Sequence, residues 1–331
     1  MNLSEEIRHS VFRDLKDDEF EVLAIEIFHR QYISNQVYGQ FVKLMGIDPA
    51  RISNAAGIPM LPVQFFRDQK VISGEEAGIQ KVFSSSGTTG SIPSKHFVRD
   101  LNLYEDSFTR SFRSFYGEPE NYRFLALLPG YLERNDSSLV YMMENFIRKT
   151  YQNGSGFYLN DFKSLHEKLI EPADENIRTV LFGASFALLD FSEQYPMDLN
   201  HVIIMETGGM KGRRMEMIRE ELHEILCQRF NAGKIHSEYG MTELLSQAYS
   251  QGNGIFRCPP WMKILIRDTN DPLQMLPAGQ TGGINIIDLA NMYSCSFIAT
   301  QDLGKLHPDG SFEVLGRFDD SDIRGCNLLV I

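Results

Sequence analysis

Residues 177–185 and 199–209 read IRTVLFGAS and LNHVIIMETGG. Both stretches are apolar runs rich in β-branched residues that end in small residues, a pattern typical of buried strands. YRFLALLPG (122–130) is a further run of this kind, ended by Pro-Gly. The segments 137–150 and 161–172 instead have helical periodicity. Strands that alternate with helices predict an α/β fold with a largely parallel sheet at its core.

The sequence changes character on both sides of this core. Residues 4–45 have apolar residues at three- and four-residue spacing, which predicts helices. After about residue 255, short apolar strands alternate with turns such as PAGQTGG and HPDGS, which predicts an antiparallel β subdomain. We therefore expect one compact unit in three parts. They are an N-terminal helical region (1–78), an α/β nucleotide-binding core (79–255) and a β-rich subdomain (256–331) that ends in a short tail.

Composition excludes several classes of protein. The chain has 331 residues and a formal net charge of −12, and its densest basic cluster is KGRR (211–214). A nucleic-acid-binding protein would carry a basic face, so we expect no nucleic-acid partner. No apolar run approaches the roughly 18 residues of a membrane span. The charged N-terminal stretch MNLSEEIRHS lacks a signal-peptide core, so we expect a cytoplasmic protein without a membrane span.

The four cysteines argue against a structural metal site. They stand at positions 227, 258, 295 and 326, far apart and without a C-x-x-C pair. A zinc site is therefore not expected, and in a cytosolic chain the thiols should be reduced.

The stretch SSSGTTGSIPSK (84–95) has the composition of an anion-binding loop. Glycines allow backbone N–H groups to turn inward around phosphate oxygens, and Ser and Thr hydroxyls add further donors. Gly87 and Gly90 are too close together for a Walker loop, and Lys95 follows a proline. On these residues alone, phosphate binding and a flexible surface loop are equally good interpretations.

Two further stretches carry groups that suit a nucleotide. HSEYGMTELLSQAY (236–249) places Thr242 and Glu243 where we expect a helix to begin, and there they suit phosphate and magnesium. The plainer interpretation is a helix cap, and it is the better one for this stretch alone. Asp302 ends one predicted strand and Arg317 ends the next, so they suit ribose hydroxyls and phosphate. Alone, they are a strand-terminal Asp and a turn Arg.

The order of these stretches resembles that of adenylate-forming enzymes, which include acyl-CoA synthetases and luciferases. SSSGTTG, ETGGMKG, EYGMTE and QDLG…GRFDD follow one another over roughly residues 80–325. Each motif alone is a weak indicator of this family, whereas the four motifs in this order are a strong one. The amino-acid sequences of these motifs are most similar to those of LuxE-type acyl-protein synthetases, a branch near the phenylacetate–CoA ligases. LLPGYLERNDSSLVYMM (127–143) and the RGC near the C-terminus support that branch.

The resemblance implies a role for each matching residue. The pyrophosphate part of ATP would be held by Ser84, Ser85, Ser86, Gly87, Thr88, Thr89 and Gly90. Gly208 and Gly209 would let the backbone pass against the adenine, Tyr239 would pack on its ring, and Gly240 would also belong to the nucleotide-binding residues. Thr242 would contact phosphate, Glu243 would hold Mg²⁺, and Asp302 would bind the ribose hydroxyls with Arg317 beside it. The GASF stretch (183–186) and LPGYLE would line the acyl pocket.

The implied chemistry is the ATP-dependent adenylation of a carboxylic acid, followed by acyl transfer to a thiol. Cys326 occupies the place of the acyl-carrying cysteine of LuxE-type enzymes, near the C-terminus. Arg324 favours its thiolate, whereas neighbouring aspartates oppose it. A small buried residue is an equally good interpretation of Cys326. The acyl acceptor would be a partner protein or coenzyme A.

One departure from the pattern concerns the lysine that supports adenylation. The resemblance leads us to expect that the mobile C-terminal domain, which supplies this lysine, is largely absent from the sequence. Lys95 or Lys211 could substitute, or a partner could complete the site. Three hypotheses therefore stand: an acyl-protein synthetase for a carboxylic, preferably fatty, acid; an acyl- or aryl-CoA ligase; and a non-catalytic protein that binds nucleotide or acyl groups.

Overall fold

The structure is a computed structural model that describes residues 3–85, 92–129, 136–150, 154–171, 177–209 and 217–318. Its α-helices are α1 (Leu3–Val11), α2 (Asp17–Ser34), α3 (Gln36–Leu44), α4 (Phe65–Asp68), α5 (Leu101–Tyr116), α6 (Ser138–Lys149), α7 (Phe162–Ile170), α8 (Ser185–Gln194) and α9 (Arg219–Phe230). Its strands are β1 (Leu61–Pro62), β2 (Lys81–Ser84), β3 (Lys95–Val98), β4 (Tyr122–Leu127), β5 (Gly156–Phe157), β6 (Arg178–Ala184), β7 (Val202–Thr207), β8 (His236–Tyr239), β9 (Ala248–Ser250), β10 (Ile255–Arg257), β11 (Met262–Arg267), β12 (Thr281–Asp288), β13 (Phe297–Leu306) and β14 (Phe312–Arg317).

One sheet connects most of these strands. Its order in the described residues is β11-β12-β13-β14-β10-β9-β8-β7-β6-β4-β5, with β1 added beside β13. Strands β5, β4, β6, β7 and β8 run parallel to one another. From β8 onward each neighbouring pair in the path is antiparallel. The predicted α/β fold, with a parallel core followed by antiparallel strands, is confirmed.

The parallel strands are central because their sequences are apolar on both faces. All six residues of β4 are buried, and β6 is buried after its first residue. Helices α5 and α6 pack against this part of the sheet, where aromatic rings such as Phe112, Phe124 and Phe146 contact one another. Ser137 begins α6 as an N-cap that accepts a hydrogen bond from the Val140 amide, as the Ser-Ser start of this segment predicts.

The N-terminal helices are held to the antiparallel strands by a buried amide. Gln31 of α2 is 1% exposed. Its side-chain nitrogen Nε2 lies 3.1 Å from the Asn291 carbonyl oxygen and 3.2 Å from the Met292 carbonyl oxygen. Its Oε1 accepts a 2.9 Å hydrogen bond from the Ser296 amide. Because a buried side-chain amide needs partners on both its atoms, these contacts fix α2 against the loop between β12 and β13.

Strands β2 and β3 form a separate antiparallel hairpin, in which Ser84 pairs with Lys95. The hairpin carries the stretch that composition predicts to bind anions. No helix in the described part of the chain is long and apolar enough to cross a membrane. The predicted division into three parts at residues 78 and 255 stays a prediction, and β10 begins at the second boundary.

Candidate active site

The candidate site lies where the parallel and antiparallel parts of the sheet meet. Tyr239 is the last residue of β8, and its hydroxyl donates a 2.7 Å hydrogen bond to Oδ2 of Asp302 on β13. Asp302 pairs with Arg317 across β13 and β14. Three residues from widely separated stretches of sequence thus lie side by side.

Asp302 is half-buried and lies in a positively charged environment. Burial raises the pKa of Asp302, whereas the hydrogen bond from Tyr239 and the charges of Arg317, Arg267 and Arg219 act in the opposite direction. Arg267 itself donates to the Thr300 carbonyl, next to this position on β13. A carboxylate with one oxygen held by a tyrosine keeps acceptor capacity on the other, which suits a pair of hydroxyl groups.

Glu243 joins the same group from the turn that follows β8. Its side chain is 5% exposed and is hydrogen-bonded to the Ser94 side chain. Burial raises the pKa of Glu243, the bond with Ser94 and the charge of Arg317 lower it, and the charge of Asp302 raises it further. Glu243, Asp302 and Arg317 are therefore close enough to interact electrostatically.

Two buried side chains hold the turn that carries Thr242 and Glu243. His96 Nδ1 donates to the Thr242 carbonyl at 2.8 Å, and His96 Nε2 lies 3.1 Å from Asn291 Oδ1. Asn291 Nδ2 donates to the Glu243 carbonyl at 2.8 Å. Burial lowers the pKa of His96 to about 4, so the ring is neutral at pH 7. These two residues are supports for the turn.

The predicted helix after Gly240 is wrong. Residues 240–247 form turns and irregular backbone between β8 and β9. Asp288 explains the difference, because its Oδ2 accepts hydrogen bonds from the Leu245 and Ser246 amides at 2.9 and 3.0 Å. Its Oδ1 accepts from the Ser246 hydroxyl at 2.6 Å. These long-range bonds satisfy backbone groups that a helix would otherwise pair internally.

The hairpin of β2 and β3 brings its serines to the site. The Ser85 amide donates to the Ser94 carbonyl at 3.0 Å, and the Ser94 amide donates to Ser85 Oγ at 2.9 Å. The Ser84 amide donates to the Asp136 carbonyl at 2.8 Å. The predicted phosphate-binding residues Ser86, Gly87, Thr88, Thr89 and Gly90 lie outside the described residues.

Lys95 points away from this group. Because side chains alternate along a strand, Ser94 and His96 face the turn while Lys95 faces the other side of the hairpin. The burial pattern agrees, since Ser94 and His96 are buried and Lys95 is exposed. The described backbone therefore does not bring Lys95 to Glu243 and Asp302. Lys211, the other lysine considered, lies outside the described residues.

The two predicted adenine-contacting glycines follow β7. Gly208 has a φ of 71°, a left-handed conformation that favours glycine, and its carbonyl accepts a 2.9 Å hydrogen bond from the Ser185 hydroxyl. Gly209 is exposed, and nothing in the described chain lies within 4 Å of a Cβ added there. Among the described residues, the space beside the Gly209 backbone is therefore unoccupied.

Two buried glutamates behind the site have opposite pKa shifts. Burial alone would raise the pKa of Glu206, but His223 and Arg219 lower it to about 2. Burial raises the pKa of Glu238 to about 7, against the effect of a hydrogen bond from the Thr207 hydroxyl. At neutral pH, Glu206 on β7 is therefore ionised, whereas Glu238 on the neighbouring β8 keeps its proton more readily than an ordinary glutamate.

The site offers magnesium one carboxylate and one hydroxyl, those of Glu243 and Thr242. Oxygen atoms are the ligands that Mg²⁺ prefers, and a protein often supplies only one or two of them beside substrate phosphates. These residues therefore fit the ion. The described residues contain no group of three or more His, Cys, Asp or Glu side chains arranged to hold a metal.

The described cysteines are unreactive in their surroundings. Burial raises the pKa of Cys227, Cys258 and Cys295, in the last case to about 12. These thiols stay protonated at pH 7 and are poor nucleophiles. Cys326, the candidate acyl carrier, lies outside the described residues.

Sequence reasoning missed the residues that support the site. His96 and Asn291 carry no motif signal, and they lie 195 residues apart in the chain. The sequence pointed to Ser94 only as one residue of the SIPSK stretch (91–95). The period of two along a strand was the available signal for the hairpin face, because it puts Ser94 and His96 on the face opposite to Lys95.

Comparison with known proteins gives one curated relative and many structural neighbours. The chain is 21% identical over 324 residues to the long-chain-fatty-acid–luciferin-component ligase of Vibrio harveyi, covering 91% of this chain and 84% of the ligase. No family model matches the chain.

The structural neighbours include two proteins of similar fold. ATP-bound MatB from Rhodopseudomonas palustris matches with a TM-score of 0.56 and 15% identity over 74% of this chain. The chain spans about half of that protein, 49% of its length. A 2-hydroxyisobutyryl-CoA ligase with 2-HIB-AMP and CoA matches with a TM-score of 0.66 and 14% identity, over 97% of this chain and 70% of the ligase.

These matches agree with the motif order and with the arrangement of Tyr239, Glu243, Asp302 and Arg317 around the end of β8. The resemblance to adenylate-forming enzymes, and to the LuxE-type ligase among them, is confirmed. The chain has the fold of the adenylate-forming enzymes.

Proposed function

We propose that this protein is an ATP-dependent ligase that activates a carboxylic acid as its acyl-adenylate. The observation that carries the proposal is the grouping of Tyr239, Asp302, Arg317 and Glu243 beside the serines of the β2–β3 hairpin. The fold of the neighbours and the ligase from Vibrio harveyi support the same activity.

In the proposed arrangement, each group meets one part of the nucleotide. Asp302 accepts hydrogen bonds from the ribose hydroxyls, with Arg317 beside it, and the Tyr239 ring packs on the adenine. Gly208, Gly209 and Gly240 line the path of the base, and residues 84–90 bind the pyrophosphate part. Thr242 contacts phosphate and Glu243 holds Mg²⁺, which when bound would neutralise phosphate charge.

The first reaction joins the acid to AMP. A carboxylate oxygen of the acid attacks the α-phosphorus, the new O–P bond forms, and the bond to pyrophosphate breaks. Both reactants are anionic, so the barrier is lowered chiefly by charge neutralisation around the phosphates. Arg317 and the donors of the hairpin serve this purpose. Lys211 is the remaining candidate for a lysine that completes the adenylation site, since Lys95 faces the other side of the hairpin.

We further propose that the acyl group then passes to a thiol. The thiolate attacks the carbonyl carbon, the C–O bond to AMP breaks, and a thioester forms as AMP leaves. Cys326 is the first candidate for this thiol, from which the acyl group would reach an acceptor protein. Coenzyme A is the second candidate, and the CoA-bound neighbour favours it.

Adenylation is tested by incubating the protein with magnesium–ATP and a panel of carboxylic acids. We expect pyrophosphate release and hydroxylamine-trapped hydroxamate with at least one acid. Asp302→Asn should weaken ATP binding at least about tenfold, because one of the two charged acceptor oxygens for the ribose hydroxyls is replaced by a donor. Asp309→Asn is the matched control in the turn of the same β13–β14 hairpin, and it should bind ATP normally.

The result that would contradict a ligase is ATP binding without pyrophosphate or hydroxamate from any acid, which would favour a non-catalytic nucleotide-binding protein. Mass spectrometry of the intact protein then separates the thiol acceptors. A hydroxylamine-labile acyl mass on Cys326, absent from Cys326→Ala and present in Cys227→Ala, supports the acyl-protein route. Acyl-CoA formed by Cys326→Ala at the unmodified rate supports the coenzyme A route.

A further inference from the structure

A buried arginine close to Asp302 has only neutral hydrogen-bond partners. Arg267 ends β11 and is 7% exposed. Its Nη1 donates to the Ile284 carbonyl oxygen and to Asn285 Oδ1, each at 2.8 Å, and its Nη2 donates to the Thr300 carbonyl oxygen. None of these acceptors in the described part of the chain is a carboxylate. A buried cation without a directly bonded counter-charge is costly, so stability alone does not account for Arg267.

The hydrogen bonds of Arg267 lie at an irregularity between β12 and β13. The paired residues on either side of it are Gly283 with Leu303 and Asn285 with Ala299. Ile284 alone therefore lies opposite residues 300–302, which bulge out of the ladder. A bulge leaves backbone groups without ladder partners and re-aims the side chains that it carries. Arg267 supplies missing donors there, because it bonds to the carbonyl groups of both Ile284 and Thr300.

Asp302 is the last residue of this bulge. Its amide donates to Thr300 Oγ1 at 3.1 Å, and the same hydroxyl donates to the Ile284 carbonyl oxygen at 2.9 Å. Thr300 thus connects Arg267 to Asp302, through its carbonyl on one side and its hydroxyl on the other. Burial raises the pKa of Asp302, and the positive charge of Arg267 opposes that rise. Both the position and the charge of the Asp302 carboxylate therefore depend on Arg267.

The guanidinium reaches the bulge because β12 carries a glycine beside it. A Cβ added at Gly283 would lie 2.6 Å from Arg267 Cζ and 2.9 Å from its Nε and Nη1. These distances are well below van der Waals contact, so any larger residue at 283 would displace the guanidinium. The Phe318 ring lies over the same group, with Arg267 Cζ 5.5 Å from the ring centroid. The space is therefore shaped for this one side chain.

We propose that Arg267 is a positioning residue of the nucleotide site, which holds the bulge of β13 so that Asp302 can accept hydrogen bonds from the ribose hydroxyls. This inference rests on the proposed nucleotide-binding role of Asp302 and adds a residue to it. Arg267 contacts no substrate in this arrangement and acts through Thr300 and Asp302. It should therefore determine how strongly the protein prefers a ribonucleotide to a deoxyribonucleotide.

The test is calorimetric binding of magnesium–ATP and of magnesium–2′-deoxy-ATP. We expect the unmodified protein to bind ATP at least about tenfold more tightly, since a hydroxyl bound to a charged acceptor is lost in the deoxynucleotide. Arg267→Met should reduce this preference to less than about threefold, because ATP affinity falls while 2′-deoxy-ATP affinity changes by less than about twofold. A merely structural residue would weaken the binding of both nucleotides and leave their ratio unchanged.

Two further variants keep the test valid if Arg267→Met does not fold. Arg267→Lys keeps the charge and one donor to the Thr300 carbonyl, so it should retain a preference above about fivefold. Gly283→Ala keeps Arg267 but displaces its guanidinium, so it should reduce the preference to less than about threefold. Arg257→Met is the matched control, since this exposed arginine bonds to Asp309 at 2.6 Å, and its preference should be unchanged.

An unchanged preference in both Arg267→Met and Gly283→Ala would overturn the inference while leaving nucleotide binding in place. An unmodified protein that binds ATP and 2′-deoxy-ATP equally would overturn it as well, because Asp302 would not contact the ribose. Pyrophosphate release is measured on the same samples and reports on the ligase function separately. A lost preference in both variants without release from any acid would keep the role of Arg267 and reject the ligase.

Discussion

At the scale of single residues, the bond between Tyr239 and Asp302 links two motifs that are 63 positions apart. It fixes one oxygen of the half-buried Asp302 carboxylate, which would otherwise have fewer hydrogen-bond partners. Tyr239 therefore has two parts, a ring that can pack on a base and a hydroxyl that orients the Asp302 carboxylate.

Replacing Tyr239 by Phe separates these parts. The ring remains and the 2.7 Å hydrogen bond is lost, so Asp302 is less well oriented. We expect KM for ATP to rise roughly tenfold, which corresponds to the loss of a hydrogen bond to a charged group. Steady-state kinetics of pyrophosphate release gives this value. An unchanged KM in a variant with unchanged stability would contradict the role of the hydroxyl.

Glu238 makes stability depend on pH in a direction unusual for a carboxyl group. Its pKa is raised from 4.5 to about 7, chiefly by burial, so the folded protein keeps a proton that the unfolded chain releases. The contribution of Glu238 to the free energy of unfolding is therefore highest below about pH 4.5. It falls by about 3 kcal/mol in total as the pH rises from about 4.5 through about 7.

Urea denaturation of the unmodified protein and of Glu238→Gln checks this sign. The free energy of unfolding of the unmodified protein should fall relative to the variant as pH rises from about 4.5 to about 7. A difference that stays constant over this range would show that Glu238 does not titrate there.

At the scale of elements, the turn between β8 and β9 illustrates what sequence can predict. The strands β4, β6 and β7 and the helices α6 and α7 were predictable because each carries its own periodicity and end signals. The turn was predicted as a helix because ELLSQ favours one locally. Its backbone instead bonds to Asp288, and no local pattern reveals a partner more than 40 residues away.

The same limit applies to the candidate site. The motif residues Tyr239, Asp302 and Arg317 could be named from the order of their motifs, although Asp302 lies inside β13 and not at the predicted strand end. His96 and Asn291 could not, because they act through carbonyl groups of the turn that only the folded chain brings near. The sequence thus predicts the residues that would contact a ligand better than the residues that hold those residues in position.

Asp288 should be one of the most sensitive positions in this element. It is fully buried, and its carboxylate accepts from Leu245, Ser246 and Ala290. Asp288→Ala leaves several buried donors unpaired, so we expect the free energy of unfolding to fall by about 3 kcal/mol or more. Denaturation by urea measures the change, with the exposed Asp14→Ala as control. A loss below about 1 kcal/mol would contradict this account.

At the scale of the whole molecule, the predicted α/β core and β-rich subdomain share one sheet. Strands β9, β10 and β14 connect the parallel strands to the antiparallel ones. The N-terminal helices are bound to the β12–β13 loop through Gln31. Hydrogen bonds therefore run through all three predicted parts of the chain.

We expect the protein to unfold in a single cooperative transition. Separating the parts would expose the ladder between β10 and β14 and the buried amide of Gln31, so neither half is stable with the other unfolded. Scanning calorimetry should give one peak whose calorimetric and van't Hoff enthalpies agree. Two resolved peaks would show that the predicted boundary near residue 255 separates independent folding units.

Successive residues of β8 point to opposite faces, so Glu238 faces away from Tyr239, and this has a consequence for how such a protein can change over evolutionary time. Point substitutions at Glu238 alter one face of the strand without touching the bond between Tyr239 and Asp302 on the other. A single inserted or deleted residue in β8 would exchange the two faces of the strand and damage both at once. Changes in this strand should therefore arise by replacement, while changes of length are confined to the loops around it.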